Sequence, residues 1–249
     1  MKITYIHHSG FLVELRRVCL LFDFVGGPLP RLDDGRDLVV FASHRHGDHF
    51  DPMIFDLAKS YPCIRFVLSD DIWQNRIPEG LGCRTEFTDP GDVLELYEGD
   101  GVRITSFQST DEGVAFLVET EGQVIYHAGD LNDWRWNGEP LAWNNNMSTN
   151  YKRELDKIKA LGLTPDVAML PLDGRQEDLF WLGLDEFMRT VGAKFVLPMH
   201  FWEDYEVINR LKAMDCAVDY RDRIADIRAE GQVFELGAAG NPARRGEPS

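Results

Sequence analysis

The six residues His44-Arg45-His46-Gly47-Asp48-His49 carry the densest reactive chemistry in this 249-residue chain. Imidazole nitrogens and carboxylate oxygens are ligands for zinc, iron or manganese. His44 and His46 stand two apart, so on an extended or tightly turned segment both rings can converge on one ion. Asp48 and His49 follow at once, and Gly47 permits the sharp bend they need. A lone histidine is more often a satisfied structural residue. Three with an aspartate at this spacing, directly after an apolar run, indicate a metal site.

That run, residues 38–42, reads as a short buried strand delivering the cluster. Before it, residues 2–7 alternate as a strand, residues 11–15 form another, and residues 18–24 are continuously apolar. After it, residues 52–60 have helical spacing through Ile54, Leu57 and Ala58, with Asp51 placed to cap them. A strand over 64–68 and a short helix over 70–75 follow.

The second half predicts strands at 102–107, 114–119, 123–127, 167–170 and 195–197, and helices at 154–161, 184–190 and 207–214. There is a short internal repeat. Ile3-Thr4, Phe11-Leu12-Val13-Glu14 and the run to Asp23 are echoed by Ile104-Thr105, Phe116-Leu117-Val118-Glu119 and the run to Asp130. It implies two similar halves packed face to face, with functional groups where the sheets meet. With no linker between them, residues 1–236 read as one domain, and residues 237–249, rich in Gly, Ala, Pro and Arg, as a flexible tail.

Composition is that of a protein with a core, 44% apolar and 11% aromatic, and the formal charge is −16. So acidic a surface repels phosphate backbones and anionic membranes, which argues against nucleic-acid and membrane partners and leaves a small-molecule substrate. Cys19, Cys63, Cys83 and Cys216 form no CxxC pair or disulfide framework, and Cys19 and Cys63 read as small buried hydrophobes. Charges at Glu14, Arg16 and Arg17 interrupt the first apolar stretch, so a cytoplasmic location without a signal peptide is expected.

Ser43 through His49 matches the His-x-His-x-Asp-His motif, and here the chain resembles the metallo-β-lactamase superfamily over nearly its whole length. His127-Ala128-Gly129-Asp130 and Pro198-Met199-His200 resemble the strand ends that carry the family's bridging aspartate and last histidine. The resemblance implies an α/β fold, a four-layer αββα sandwich with the site at one edge of two sheets. It implies one or two divalent ions, zinc foremost, with His44 and His46 on the first, Asp48, His49 and His200 on the second, and Asp130 between them. Asp48 and Asp130 would then serve the chemistry of an activated water. The His8-Ser9-Gly10 start is most similar to the branch holding ascorbate-phosphate lactonases.

In one respect the chain departs from the family. The family usually has a further histidine before the bridging aspartate, and no histidine lies between His49 and His127. Gln108 or Asp111 can substitute. A carboxylate suits a hard cation better, so Asp111 is preferred, and an oxygen-rich site shifts preference towards manganese or iron.

Around these residues, His8, Asp23 and His127 are candidates to orient ligands or serve as strand-end structure. Trp134, Trp136 and Trp143 suit either a pocket wall or a packed lid. Arg175 either grips an anionic substrate or pairs with Asp173 or Glu177. No Gly-rich phosphate loop and no nucleophile elbow is present. The expected function is hydrolysis of a small ester, lactone or phosphoester. A degenerate site that binds a metabolite or partner without turnover is the alternative, and a redox di-iron protein of the same fold a third reading.

Overall fold

A computed structural model describes residues 1–32, 35–97 and 101–237. The first half forms β1 (Lys2–His7), β2 (Gly10–Glu14), β3 (Val18–Phe22), β4 (Asp37–Ala42), β5 (Ile64–Ser69) and β6 (Thr85–Thr88). The second half forms β7 (Val93–Leu96), β8 (Val102–Gln108), β9 (Val114–Thr120), β10 (Gln123–His127), α1 (Leu141–Ala160), β11 (Val167–Pro171), α2 (Leu182–Thr190), β12 (Phe195–Met199) and α3 (Glu206–Ala213). The chain then returns as β13 (Val233–Glu235) to the edge of β1. One sheet runs β13-β1-β2-β3-β4-β5-β6 and the other β12-β11-β10-β9-β8-β7.

Strand periodicity explains why the first half reads as nearly unbroken apolar runs. Phe11, Val13, Leu20, Phe22, Val39 and Phe41 share one core with Ile104, Phe116, Val118, Ile125 and Met169 of the second sheet. Their neighbours Leu12, Cys19, Leu21, Leu38, Val40 and Ala42 face the other way, where Ile54 and Phe55 cover them. Those two belong to a 3₁₀ segment, Pro52–Lys59, capped by Asp51 as the sequence predicts. On the far side of the second sheet, α1 and α2 bury Tyr151, Leu155, Ile158, Leu184 and Phe187. The layers therefore follow the αββα order, with 3₁₀ turns in place of an α-helix outside the first sheet.

The two halves repeat one pairing pattern. β1–β2 and β2–β3 are antiparallel, β3–β4 and β4–β5 parallel. β8–β9 and β9–β10 are antiparallel, β10–β11 and β11–β12 parallel. The sequence echo falls on the first three strands of each set.

Three expectations are corrected. α1 starts at Leu141, well ahead of 154, because the Asn144 side chain clamps the Trp136 backbone through two 2.9 Å hydrogen bonds and so fixes the first turn, which asparagine-rich residues do not favour. The short helix at 70–75 is a turn followed by a single 3₁₀ turn, Gln74–Arg76. Cys63 is exposed just ahead of β5, while Cys19 is buried as expected, and no disulfide forms among the described residues. The tail beyond Gly237 lies outside the described residues. Among them, no helix is long and apolar enough to cross a membrane.

Candidate metal centre

The strand ends build the site. Asp23 follows β3 with a positive φ of 42° and turns its fully buried carboxylate onto the end of β4. It accepts hydrogen bonds from the Ser43 amide at 2.8 Å, the Ser43 hydroxyl at 2.7 Å and His49 Nδ1 at 2.7 Å. The 44–49 segment coils tightly, with the His49 and Phe50 amides both donating to the His46 carbonyl. Two glycines admit neighbouring backbone to this coil. At Gly113 (φ 69°) a Cβ would lie 2.0 Å from the Ser43 carbonyl, and at Gly129 (φ 50°) 2.7 Å from Ser43 Cβ.

Asp130, just beyond β10, sits in the middle. One oxygen is 3.5 Å from His44 Nε2; the other is 3.2 Å from His49 Nε2 and 3.5 Å from His200 Nε2. This is the disposition a bridging carboxylate requires. Asp48 Oδ2 is 3.9 Å from His49 Nε2. Ligands about 2.0–2.1 Å from a tetrahedral ion stand about 3.4 Å from one another, so these spacings fit a cation between them. The same atoms are buried and unpaired: His44 Nε2, His49 Nε2 and Asp130 Oδ1 have no hydrogen-bond partner. Buried polar atoms are normally satisfied, and convergent orphans point to a missing shared partner. The donor set therefore fits a divalent ion.

Electrostatics agree. Burial opposes charge on His49, yet Asp130, then Asp23 and Asp48, push its pKa up to about 9. Burial, then the cationic neighbour His49, lowers His44 to about 4. The surrounding carboxylates thus favour positive charge beside the His49 ring.

The structure brings His8, His44, His46, Asp48, His49, Asp111, Asp130 and His200 together in overlapping groups of potential ligands. His46 and Asp111 fall in one group with Asp130, their ligand atoms within 4.8 Å of one another. Burial, then the Asp130 charge, raises the Asp111 carboxyl. Asp173 accepts from His200 Nδ1 at 3.0 Å and is gripped by the Arg175 guanidinium; His200 and Arg175 overcome its burial and hold it at about 2. Arg175 thus makes the ion pair with Asp173 while still lining the pocket and covering Trp202 at 4.8 Å.

His127 faces away from the cluster. Its Nε2 is 2.9 Å from the Ser9 carbonyl, its Nδ1 accepts from the Gly129 amide at 3.1 Å, and its ring stacks on Phe22. Both nitrogens are spoken for. Trp134 donates Nε1–H to the Asp130 carbonyl at 2.7 Å, with its ring 5.2 Å from His200.

Sequence reasoning passed over Glu112, whose Oε2 is unpaired and 3.4 Å from His46 Nε2, and Trp202 and Met147 in the pocket wall. Only the proximity of Glu112 to Asp111 signalled it in the sequence.

The chain has two facing mixed sheets with this cluster of potential ligands at one edge, which is the metallo-β-lactamase fold. It is similar throughout to a UPF0173 metal-dependent hydrolase of Methanocorpusculum labreanum, 28% identical over 95% of this chain and 100% of that protein. Among solved structures it is similar to Igni18, a metallo hydrolase from Ignicoccus hospitalis, with a TM-score of 0.64 at 20% identity over 95% of this chain and 99% of that one. The metallo-β-lactamase fold protein YhfI from Bacillus subtilis superposes with a TM-score of 0.57 at 15% identity over 94% and 99%. No family model matches the chain.

Proposed function

We propose that the chain is a metal-dependent hydrolase of small esters, lactones or phosphoesters, with two divalent ions held by His44, His46, Asp111, Asp48, His49 and His200 about a central Asp130. The convergence of unpaired buried His44 Nε2, His49 Nε2 and Asp130 Oδ1 carries this reading. A divalent cation there supplies Lewis acidity towards the scissile carbonyl or phosphoryl oxygen and an acidified water as nucleophile.

The chain's own groups do the rest. His8 and His49 overcome the partial burial of Asp48 and hold it well below the usual carboxylate range. Asp48 is therefore charged at neutral pH and lines the pocket, and with only one ion bound it would orient the attacking water by accepting a hydrogen bond from it. Asp23 and Asp173 fix the His49 and His200 rings through Nδ1, leaving Nε2 free to ligate.

The pocket before the cluster is about 280 Å³, walled by Trp134, Trp136, Trp143, Met147 and Trp202 with Arg175 at one side. That volume suits a small substrate with an apolar or aromatic group. A larger cleft of about 860 Å³, lined by Arg16, Tyr97, Arg103 and Glu121, lies at the other end of the strands and includes none of the ligands.

The absent histidine favours one second reading, binding without turnover. Elemental mass spectrometry on chelator-free protein, followed by an ester, lactone and phosphoester panel, decides between them. Two ions of zinc, manganese or iron with turnover abolished by His46→Ala support the hydrolase. Metal uptake with no turnover across the panel supports the binding protein, and no metal uptake removes the hydrolase reading.

A further inference from the structure

We propose that His8 is itself a metal ligand, joining Asp48, His49 and His200 around one cation. This rests on reading the cluster as a metal centre.

His8 sits at the tip of the β1–β2 hairpin with a positive φ of 49°, and it is only 5% exposed. Its Nε2 is buried and has no hydrogen-bond partner. That atom lies 3.4 Å from Asp48 Oδ2, the spacing of two ligands on one ion, and within 4.8 Å of the ligand atoms of His49 and His200. The His8 ring stands 4.4 Å from that of His200 and 4.4 Å from that of Trp202, and both pack against it.

A simple orienting hydrogen bond from His8 to Asp48 fits less well. The site shows what such pairs look like: His49 to Asp23 at 2.7 Å and His200 to Asp173 at 3.0 Å, both through Nδ1. His8 instead presents Nε2 to the cluster, the same atom that His44, His49 and His200 present, at a distance long for a charge-assisted bond.

The duplicated architecture gives the arrangement a further consequence. The β8–β9 hairpin, which occupies the equivalent place in the second half, delivers Asp111 to the other side of the cluster. One side thus holds a carboxylate where an imidazole is lacking, while the other gains an imidazole. The His8 side is nitrogen-rich and suits zinc; the His46–Asp111 side is oxygen-rich and suits a harder ion. The first equivalent of zinc is therefore expected on the His8 side.

Wild-type protein loaded with one equivalent of zinc tests this by X-ray absorption. Three imidazoles per zinc are expected; two overturn the proposal. A second measurement uses His8→Gln, which keeps the bulk of the side chain. Competition with a chelating dye should show the tighter zinc site weakened by more than about 100-fold, beyond the 10–100-fold loss typical of a merely orienting partner. In the cobalt-substituted protein, one fewer hyperfine-shifted ring N–H resonance is expected in the variant. An unchanged resonance count with two ions bound overturns the role of His8 and leaves the hydrolase reading standing. A wild-type protein that takes up no zinc overturns both.

Discussion

Asp23 and His49, both fully buried, share a 2.7 Å hydrogen bond that fixes which imidazole nitrogen faces Asp130. Although burial opposes ionisation, the imidazoles of His127 and His49 hold Asp23 at about 2, so it accepts the Nδ1–H across the working pH range. Asp23→Ala should lower metal affinity about 10- to 100-fold, the usual effect of losing a partner that orients a ligand. Asp23→Asn should recover part of the loss, because an amide oxygen still accepts. Zinc competition titration reads both, and wild-type affinity in Asp23→Ala rules out an orienting role.

Asp111 lies with Asp130 and His46, and two carboxylates this close are costly without a cation between them. Asp111→Ala should reduce metal content from two equivalents to one and slow turnover, while Asp111→His should restore the second ion. Elemental analysis checks the stoichiometry. Two equivalents in Asp111→Ala would transfer the ligand role elsewhere, with Glu112 the nearest carboxylate to His46.

Much of this was legible in the sequence, for physical reasons. Candidate ligands packed into 44–49 announce themselves because a tight coil needs no distant partner to bring them together. The central strands were legible because burial on both faces leaves continuous apolar runs. β6, β7 and β13 were not, being only three or four residues long, too short for a period to show, and at sheet edges. The first turns of α1 were hidden because a tertiary clamp by Asn144, rather than propensity, sets them. The convergence of His8 with His200, nearly the whole chain apart, is visible only once β1 and β12 are in place.

Gly113 lies where the β8–β9 turn presses on the 43–49 coil. Alanine there meets both a left-handed φ and a Cβ position 2.5 Å from that of His44. Gly113→Ala should cost more than about 2 kcal/mol and displace His44, since strain and overpacking coincide. Chemical denaturation of the metal-free variant reads the stability, and metal content reads the displacement. A wild-type midpoint in urea would mean the turn yields freely.

At the other end of the hairpin that carries His8, Glu14 pairs with Lys2 at 2.7 Å and Arg36 at 3.0 Å. Burial raises its carboxyl, but the Lys2 and Arg36 charges outweigh it and keep the pKa below the ordinary value. A carboxyl with a lower pKa folded than unfolded favours folding above about pH 4.3, and the contribution disappears as pH falls through the folded value. Glu14→Gln should therefore destabilise the protein by about 1 kcal/mol at pH 7, and by progressively less below pH about 4. Urea midpoints at pH 7 and pH 3 test this; a loss that persists undiminished at the lower pH would point to packing, not charge.

Trp134 and Trp136 stack nearly parallel, 5° apart with centroids at 6.2 Å, and both line the pocket. Trp134 also holds the Asp130 backbone, so replacing it disturbs the centre as well as the wall. Trp136 has no such bond to the ligands and is the cleaner probe. Trp136→Ala should raise KM for an ester with an aromatic acyl group by about tenfold, in keeping with the energy of one aromatic contact, and leave kcat and the KM for the corresponding acetyl ester nearly unchanged. Equal rises for both substrates would mean Trp136 shapes the pocket without discriminating. A fall in kcat with KM constant would instead place it against the reacting atoms.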